Sequence, residues 1–218
     1  MYLFYYVATF LTRMLLFTLT RLEVSGRERV PKKGPLILVS NHLNNLDPPI
    51  LAACLSRRVV FMAKEELYYA RNISGILSRG FGAFPVRRGE VDRRALKLAL
   101  KMLENGLVLG LFPEGTRSLN GQLQEAQMGT AWIALHSGAP ILPVAIWGTE
   151  SVRTVGDVLA RPSISVRIGE PFSLPALPSG TRSVRLGLAT LAIMGTIAGL
   201  LPPEYRGAYS DVGAAEWK

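Results

Sequence analysis

Short apolar runs of strand length alternate along this chain with longer stretches in which apolar positions recur at helical spacing. Leu36–Ser40, Val59–Ala63, Gly82–Val86, Leu107–Phe112, Ile141–Trp147 and Ile164–Gly169 read as strands. Pro48–Ser56, Glu66–Arg79, Glu90–Glu104, Gln127–Ser137 and Arg182–Leu201 read as helices. Such alternation predicts an α/β domain with a largely parallel central sheet and helices on both faces. Ligands of such sheets gather outside the carboxyl ends of the strands, so the loops after Ser40, Val86 and Phe112 are the places to look for a site. Val184–Leu201 is apolar but carries Arg185, three glycines and two threonines and stops at Pro202-Pro203, which reads as a buried helix of the domain rather than a membrane span. The tail from Tyr205 to Lys218 is expected to be partly loose.

The pattern of Met1–Thr20 is different. No basic segment precedes its apolar part and no small-residue cleavage site follows, so it does not read as a signal peptide. On a helix, Tyr2, Tyr5, Tyr6, Thr9, Thr12, Arg13 and Thr20 share about a third of the circumference, and most of the rest is Leu, Phe, Val and Met. A polar stripe on an apolar cylinder predicts a helix lying in a membrane interface, with a spanning anchor and a buried core helix as the alternatives. Residues 1–30 are therefore expected to be a membrane-attachment helix with its connector, and residues 31–218 a single catalytic domain. Arg21, Arg27, Arg29, Lys32 and Lys33 follow at once, which predicts the cytoplasmic face of the cell membrane.

Composition supports that picture. The 218 residues suffice for one well-packed domain. Hydrophobic residues make up 49% of the chain and the formal net charge is +9, a combination that favours an anionic lipid surface as partner. No basic stripe with interleaved aromatics and no nucleic-acid reading motif is present, so nucleic acid is not an expected partner. The single cysteine, Cys54, lies in an apolar run, permits no intramolecular disulfide and reads as a small buried side chain.

Candidate chemistry starts at Val39-Ser-Asn-His-Leu-Asn-Asn-Leu-Asp-Pro-Pro49, between a strand and a helix. Asp47 precedes two prolines, which suits an N-cap of a helix beginning at Pro48. His42 sits in the preceding loop. One reading has Asp47 as a cap and His42 as a loop donor; the other has His42 as a general base whose ring Asp47 orients. Both can hold, because a carboxylate has two oxygens. A second strand end delivers Glu114-Gly-Thr-Arg-Ser118: Gly115 permits close backbone approach, Thr116 and Ser118 offer hydroxyls, and Arg117 offers a fork for an anion. A third delivers Arg87 and Arg88, either a solvated pair or a clamp for a phosphate monoester. Pro140 and Pro143 shape an apolar strand that is structural or lines an acyl pocket. His136, at a helix end, is accounted for by the helix dipole. The chain has no G-x-S-x-G elbow, no H-E-x-x-H, no cysteine cluster, no phosphate loop and no G-x-G-x-x-G, so no metal or dinucleotide cofactor is expected.

Four segments in order, Asn41-His42-x4-Asp47, Phe84-Pro-Val-Arg-Arg88, Phe112-Pro-Glu-Gly-Thr-Arg-Ser118 and Pro140-Ile-Leu-Pro-Val144, resemble the ordered motifs of the glycerolipid acyltransferases, bacterial 1-acyl-glycerol-3-phosphate acyltransferases above all. The resemblance covers about residues 34–169, and Leu201-Pro-Pro-Glu-Tyr-Arg-Gly207 is similar to the same branch. It departs from the pattern at Gln127, where many relatives carry lysine. The resemblance implies acyl transfer from acyl-CoA or acyl-carrier protein, as co-substrate, to the free hydroxyl of lysophosphatidate. His42 would be the base, Asp47 its orienter, and Asn41 a substrate contact. Arg87, Arg88 and the turn Glu114–Ser118 would hold the phosphate, with Glu114 orienting Arg117 or a backbone amide. Another lyso-lipid, an ornithine-type lyso-lipid or glycerol 3-phosphate remains open as acceptor. So do a non-catalytic module binding anionic membranes and an acyl-thioester hydrolase.

Overall fold

A computed structural model describes residues 2–87, 92–175, 178 and 180–211. Arg88, Glu90 and the tail beyond Asp211 lie outside the described residues. In chain order the elements are α1 (Tyr2–Leu19), β1 (Arg21–Ser25), β2 (Leu36–Ser40), α2 (Asp47–Cys54), β3 (Val59–Lys64), α3 (Glu65–Tyr69), α4 (Ile73–Gly80) and β4 (Phe84–Val86). They continue with α5 (Arg93–Glu104), β5 (Val108–Leu111), α6 (Gly129–Ser137), β6 (Ile141–Trp147), α7 (Val155–Leu159), β7 (Ser163–Ile168) and α8 (Arg182–Leu200).

The seven strands form one sheet in the order β1-β7-β6-β2-β5-β3-β4. β2 to β6 run parallel, while β7 pairs antiparallel with β6 and carries β1 beside it, so the predicted largely parallel sheet gains a reversed edge. Period-2 alternation divides the core. Leu36 and Leu38 of β2 face a cluster with α1 and α2, whereas Ile37 and Val39 face α5, α6 and α8. Helices thus cover both faces.

Pro143 sits inside β6, where a missing N–H would ordinarily cost a ladder bond. Its carbonyl accepts from Gly169 (2.8 Å), one residue beyond the β6–β7 ladder that starts at Val144, so the missing donor falls at the ladder's end. α8 is long and apolar enough to cross a membrane by length and composition, but Ala189, Ala192, Ile193 and Ile197 are fully buried in the core, as its glycines and Arg185 foretold.

Several elements differ from expectation. Glu66–Arg79 is two helices, because Asn72 caps α4 by accepting from Gly75 N–H (3.1 Å) and starts a new helix. β1 carries charged Arg21 and Glu23 on an edge with every other residue exposed, which hides it from an apolar scan. α7 is set by a capping box between Thr154 and Asp157. The tail is not loose up to Ser210: Leu123 N–H donates to the Tyr205 carbonyl (2.9 Å) and Ala208 N–H to the Leu123 carbonyl (3.1 Å).

In α1 and at Thr20 just after it, the expected polar stripe is divided: Tyr5, Thr9 and Thr20 dock on the domain, while Tyr6 and Arg13 stay exposed. Tyr5 and Thr9 are buried, the Tyr5 hydroxyl accepts from Val59 N–H (3.0 Å), and Arg13 donates through Nε and Nη2 to the Ala53 carbonyl (3.0 and 2.7 Å). The opposite face leaves Leu3, Phe4, Val7, Phe10, Leu11, Met14, Leu15 and Phe17 exposed.

Gly110 lies mid-strand in β5, and a Cβ built there would overlap the Phe61 ring. Phe61 stacks on Phe112 (centroids 5.6 Å apart), so the glycine seats an aromatic layer near the strand ends. Gly110→Ala is expected to cost about 1–3 kcal/mol by overpacking, lowering the melting temperature by about 5 °C. A calorimetric melt checks it.

Candidate active site

β2 and β5 are neighbours, and their carboxyl ends deliver His42 and Phe112-Pro-Glu114 side by side. The His42 ring stacks on Phe112, with centroids 4.0 Å apart and planes 18° from parallel. The histidine is 6% exposed and Asp47 not exposed at all. His42 Nδ1 lies 2.8 Å from Asp47 Oδ2. An ionised carboxylate only accepts, so Nδ1 carries the proton and Nε2 presents a lone pair. No group among the described residues hydrogen-bonds Nε2.

Asp47 is the first residue of α2 rather than its cap; the cap position is Leu46, whose side chain makes no capping bond. Instead the carboxylate reaches back. Oδ2 also accepts from the N–H groups of Leu43 and Asn44 (both 2.7 Å), and Oδ1 accepts from the Thr149 hydroxyl (2.7 Å). One oxygen thus serves the imidazole and two loop amides, and the other serves a residue just past β6. Asn44 closes the same loop by donating to the carbonyls of Thr149 (2.9 Å) and Val152 (2.7 Å). Neither Thr149 nor Asn44 was singled out from the sequence. An apolar run ends at Trp147-Gly148, but nothing in the spacing places the following threonine on Asp47.

Asn41 is buried, and both atoms of its amide bond the Ile146 backbone: Nδ2 donates to the carbonyl (2.7 Å) and Oδ1 accepts from the N–H (2.9 Å). It ties the loop to the end of β6, and its amide is occupied there rather than turned toward a ligand. Pro140 and Pro143 frame the start of β6, with Pro143 opposite Val39 of β2.

Glu114 takes the backbone-amide option. Oε1 accepts from His42 N–H (2.9 Å) and Oε2 from Gln124 N–H (3.0 Å). The His42 carbonyl accepts from Ser118 N–H (2.7 Å), so both sides of the histidine's backbone are held by the β5 loop. Gly115 makes this possible, closing a turn by donating to the Phe112 carbonyl (3.0 Å) with φ at 72°. The Gln127 side chain lies directly against it. Burial pushes the Glu114 carboxyl up to about 7; the amides of Gln124 and His42 pull the other way, and the Asp47 charge adds to the rise.

Thr116 and Arg117 are exposed, and no hydrogen bond or ion pair among the described residues engages the Arg117 side chain. Ser118 is buried, with its hydroxyl donating to Asn120 Oδ1 (2.9 Å). Arg87 follows β4, three strands from β2, and its Nε donates to Glu65 Oε2 (2.9 Å). Its proposed partner Arg88 lies outside the described residues. His136 stays apart, stacked on Trp132 at the end of α6. Among the described residues no group of three or more His, Cys, Asp or Glu could hold a metal ion.

A sequence profile described as "Acyltransferase" matches residues 21–147, from β1 to the end of β6. The chain belongs to the acyltransferase family. Its match with the 1-acyl-sn-glycerol-3-phosphate acyltransferase of Borreliella burgdorferi is 31% identical over 132 residues, covering 60% of this chain and 53% of the relative. With the enzyme of the same name from Bacillus subtilis it is 28% identical over 151 residues, 69% of this chain and 73% of that one. The crystal structure of the 1-acyl-sn-glycerophosphate (LPA) acyltransferase PlsC from Thermotoga maritima superposes with a TM-score of 0.66 at 28% identity, covering 86% of this chain and 76% of that chain. The chain spans about half the length of the first curated relatives it matches, at 53%, 50% and 48%. All four motif segments read from the sequence fall within or at the edge of the family match.

Glu114 gives the fold a pH signature. Its folded pKa of about 7 lies above the ordinary value of 4.5, so the folded state holds the extra proton in between. Its contribution to stability is therefore full below about pH 4.5 and is lost as pH rises through about 7. Relative to Glu114→Gln, the wild-type protein is expected to lose about 2–3 kcal/mol of unfolding free energy between pH 5 and pH 8. Urea titrations at the two pH values check it.

Proposed function

We propose that this protein transfers a fatty acyl group from an acyl thioester, acyl-CoA or acyl-carrier protein, to the free hydroxyl of a 1-acyl-glycerol 3-phosphate. The observation that carries the reading is the His42–Asp47 pair, with Nδ1 tied to the carboxylate at 2.8 Å and Nε2 left bare. The family membership and the names of its relatives support it.

In this reading Nε2 takes the acceptor's hydroxyl proton as that oxygen attacks the thioester carbonyl. A C–O bond forms, the C–S bond breaks, and the thiolate leaves with the proton returned from the imidazolium. Asp47 fixes the ring and stabilises its charged form while the proton is aboard. A thiolate leaves readily, so no covalent enzyme intermediate is required.

Arg117 is the phosphate contact the fold favours most. It follows β5, one strand spacing of about 4.8 Å from β2, whereas Arg87 follows β4, about 14 Å away. Among the described residues Arg117 also has no competing partner, while Arg87 is paired with Glu65. Arg87, with Arg88, fits the outer part of a longer anionic path. Thr116 and the amides of the Gly115 turn complete the candidate cradle.

α1 would bring this site to its lipid. Its eight exposed Leu, Phe, Val and Met side chains would lie in one leaflet, with Arg21, Arg27, Arg29, Lys32 and Lys33 at the cytoplasmic surface.

His42→Ala is expected to lower thiol release with lysophosphatidate present by at least about 1,000-fold without moving the melting temperature by more than a few degrees. Appreciable residual turnover would sink the base assignment. Acceptor-independent thiol release by the wild type would instead indicate hydrolysis. Arg117→Ala is expected to raise the acceptor's KM about 10-fold or more with a smaller effect on kcat. Steady-state kinetics over a lysophosphatidate series separates the two.

A further inference from the structure

A cavity of about 360 Å³ opens between α1 and the far end of α2, lined among others by Tyr6, Phe10, Arg13, Ser56, Arg57 and Arg58. It lies at the end of α2 opposite Asp47, where β3 begins, and so away from the His42 loop. Three arginines converge on it and no carboxylate lines it. Arg57 spends its donors on the carbonyls of Pro31, Gly34 and Gly106, which fixes its charge in the wall. The Arg13 guanidinium spends its Nε–Nη2 edge on the Ala53 carbonyl, which anchors the charge at the mouth and leaves its Nη1 end for a ligand. Arg58 lies 5.4 Å from the Tyr5 ring centroid, over the aromatic floor. Tyr6 and Phe10, 60% and 59% exposed, form the rim and continue into the apolar face of α1.

We infer that this cavity is a binding site for the phosphate of an anionic glycerolipid, distinct from the acceptor site. The argument is charge complementarity at a fixed depth. If α1 lies in the leaflet, Phe10 and its neighbours enter the acyl region and the arginines one layer inward stand at the level of head-group phosphates. Guanidinium groups suit a phosphate because their forks donate in pairs, and the Tyr6 and Ser56 hydroxyls can share its remaining oxygens. Concave walls with one sign of charge strengthen that attraction over a flat basic surface.

The inference rests on α1 lying in the leaflet, so the test reads the two separately. Partition of the His42→Ala protein is measured on zwitterionic phosphatidylcholine vesicles and on vesicles containing 20% phosphatidylglycerol. Binding to the zwitterionic vesicles reports α1 insertion alone. The gain on anionic vesicles reports the site. Arg13→Gln with Arg58→Gln is expected to cut that gain about 10-fold or more, leaving zwitterionic binding within about two-fold. Arg93→Gln with Lys97→Gln, an equal change of charge on α5 across the sheet, is expected to leave the gain unchanged. Arg13→Lys with Arg58→Lys keeps the charge without the forks and is expected to lose at least about three-fold. A full gain in the lysine variant means diffuse attraction and overturns the site, as does an equal loss in the α5 control. If the glutamine pair lowers the melting temperature, the lysine pair decides. Inorganic phosphate at 10 mM, added at constant ionic strength, is expected not to reduce the gain; if it does, the site takes free phosphate rather than lipid.

Discussion

A carboxylate with no exposed surface stays charged in a folded protein only if donors surround it, and Asp47 has four. They come from the imidazole, from two amides of its own loop, and from Thr149 beyond β6. Satisfying one buried charge therefore fixes the loop's path, the orientation of the histidine ring, and the turn that follows a neighbouring strand. The residue starts α2, so the demand is passed on to a helix that packs under β2. Losing the Thr149 hydroxyl would leave Oδ1 unpaired and loosen the turn beyond β6, whereas Oδ2 keeps two donors when any one of its three is removed.

The second carboxylate works under a different balance. Glu114 has two amide donors and a large desolvation, and it holds the peptide of the residue whose side chain Asp47 holds. The ring of His42 is thus controlled from α2 and its backbone from β5, with Phe112 packed flat on the ring. The C-terminal segment braces the outer side of this arrangement: the Tyr205 hydroxyl donates to Glu150 (2.6 Å), next to Thr149, while its carbonyl holds Leu123, next to Gln124. The resemblance at residues 201–207 has a physical counterpart in that bridge.

The fold class was legible because buried parallel strands are continuous apolar runs, as β2, β3, β5 and β6 are, and because β7 alternates apolar and polar residues. β1 was not, since an edge strand half open to water alternates charges with short apolar residues. The break at Asn72 was a cap signal hidden inside a helical period. His42 and Asp47 could be paired from the sequence because one lay in a loop and the other at a proline-marked helix start. Which oxygen went where could not, because Thr149 approaches from 102 residues away. The pairing of Asn41 with Ile146 was not legible either, since its partner is a strand backbone remote in sequence. The polar stripe on α1 was seen correctly, but a stripe alone does not say whether it greets water or protein.

The two sides of α1 set unequal demands on its sequence. The inward side is a set of specific bonds, Tyr5 to Val59, Arg13 to Ala53, with Thr9 buried between them, and it tolerates little change. On the outward side Phe4 packs on Gly80 of α4 and Phe10 lines the arginine cavity, while Leu3, Val7, Leu11, Met14, Leu15 and Phe17 are exposed. In the proposed membrane setting any side chain that dissolves in hydrocarbon serves at those six positions, so they are free to drift from one descendant to the next while the inner face stays put.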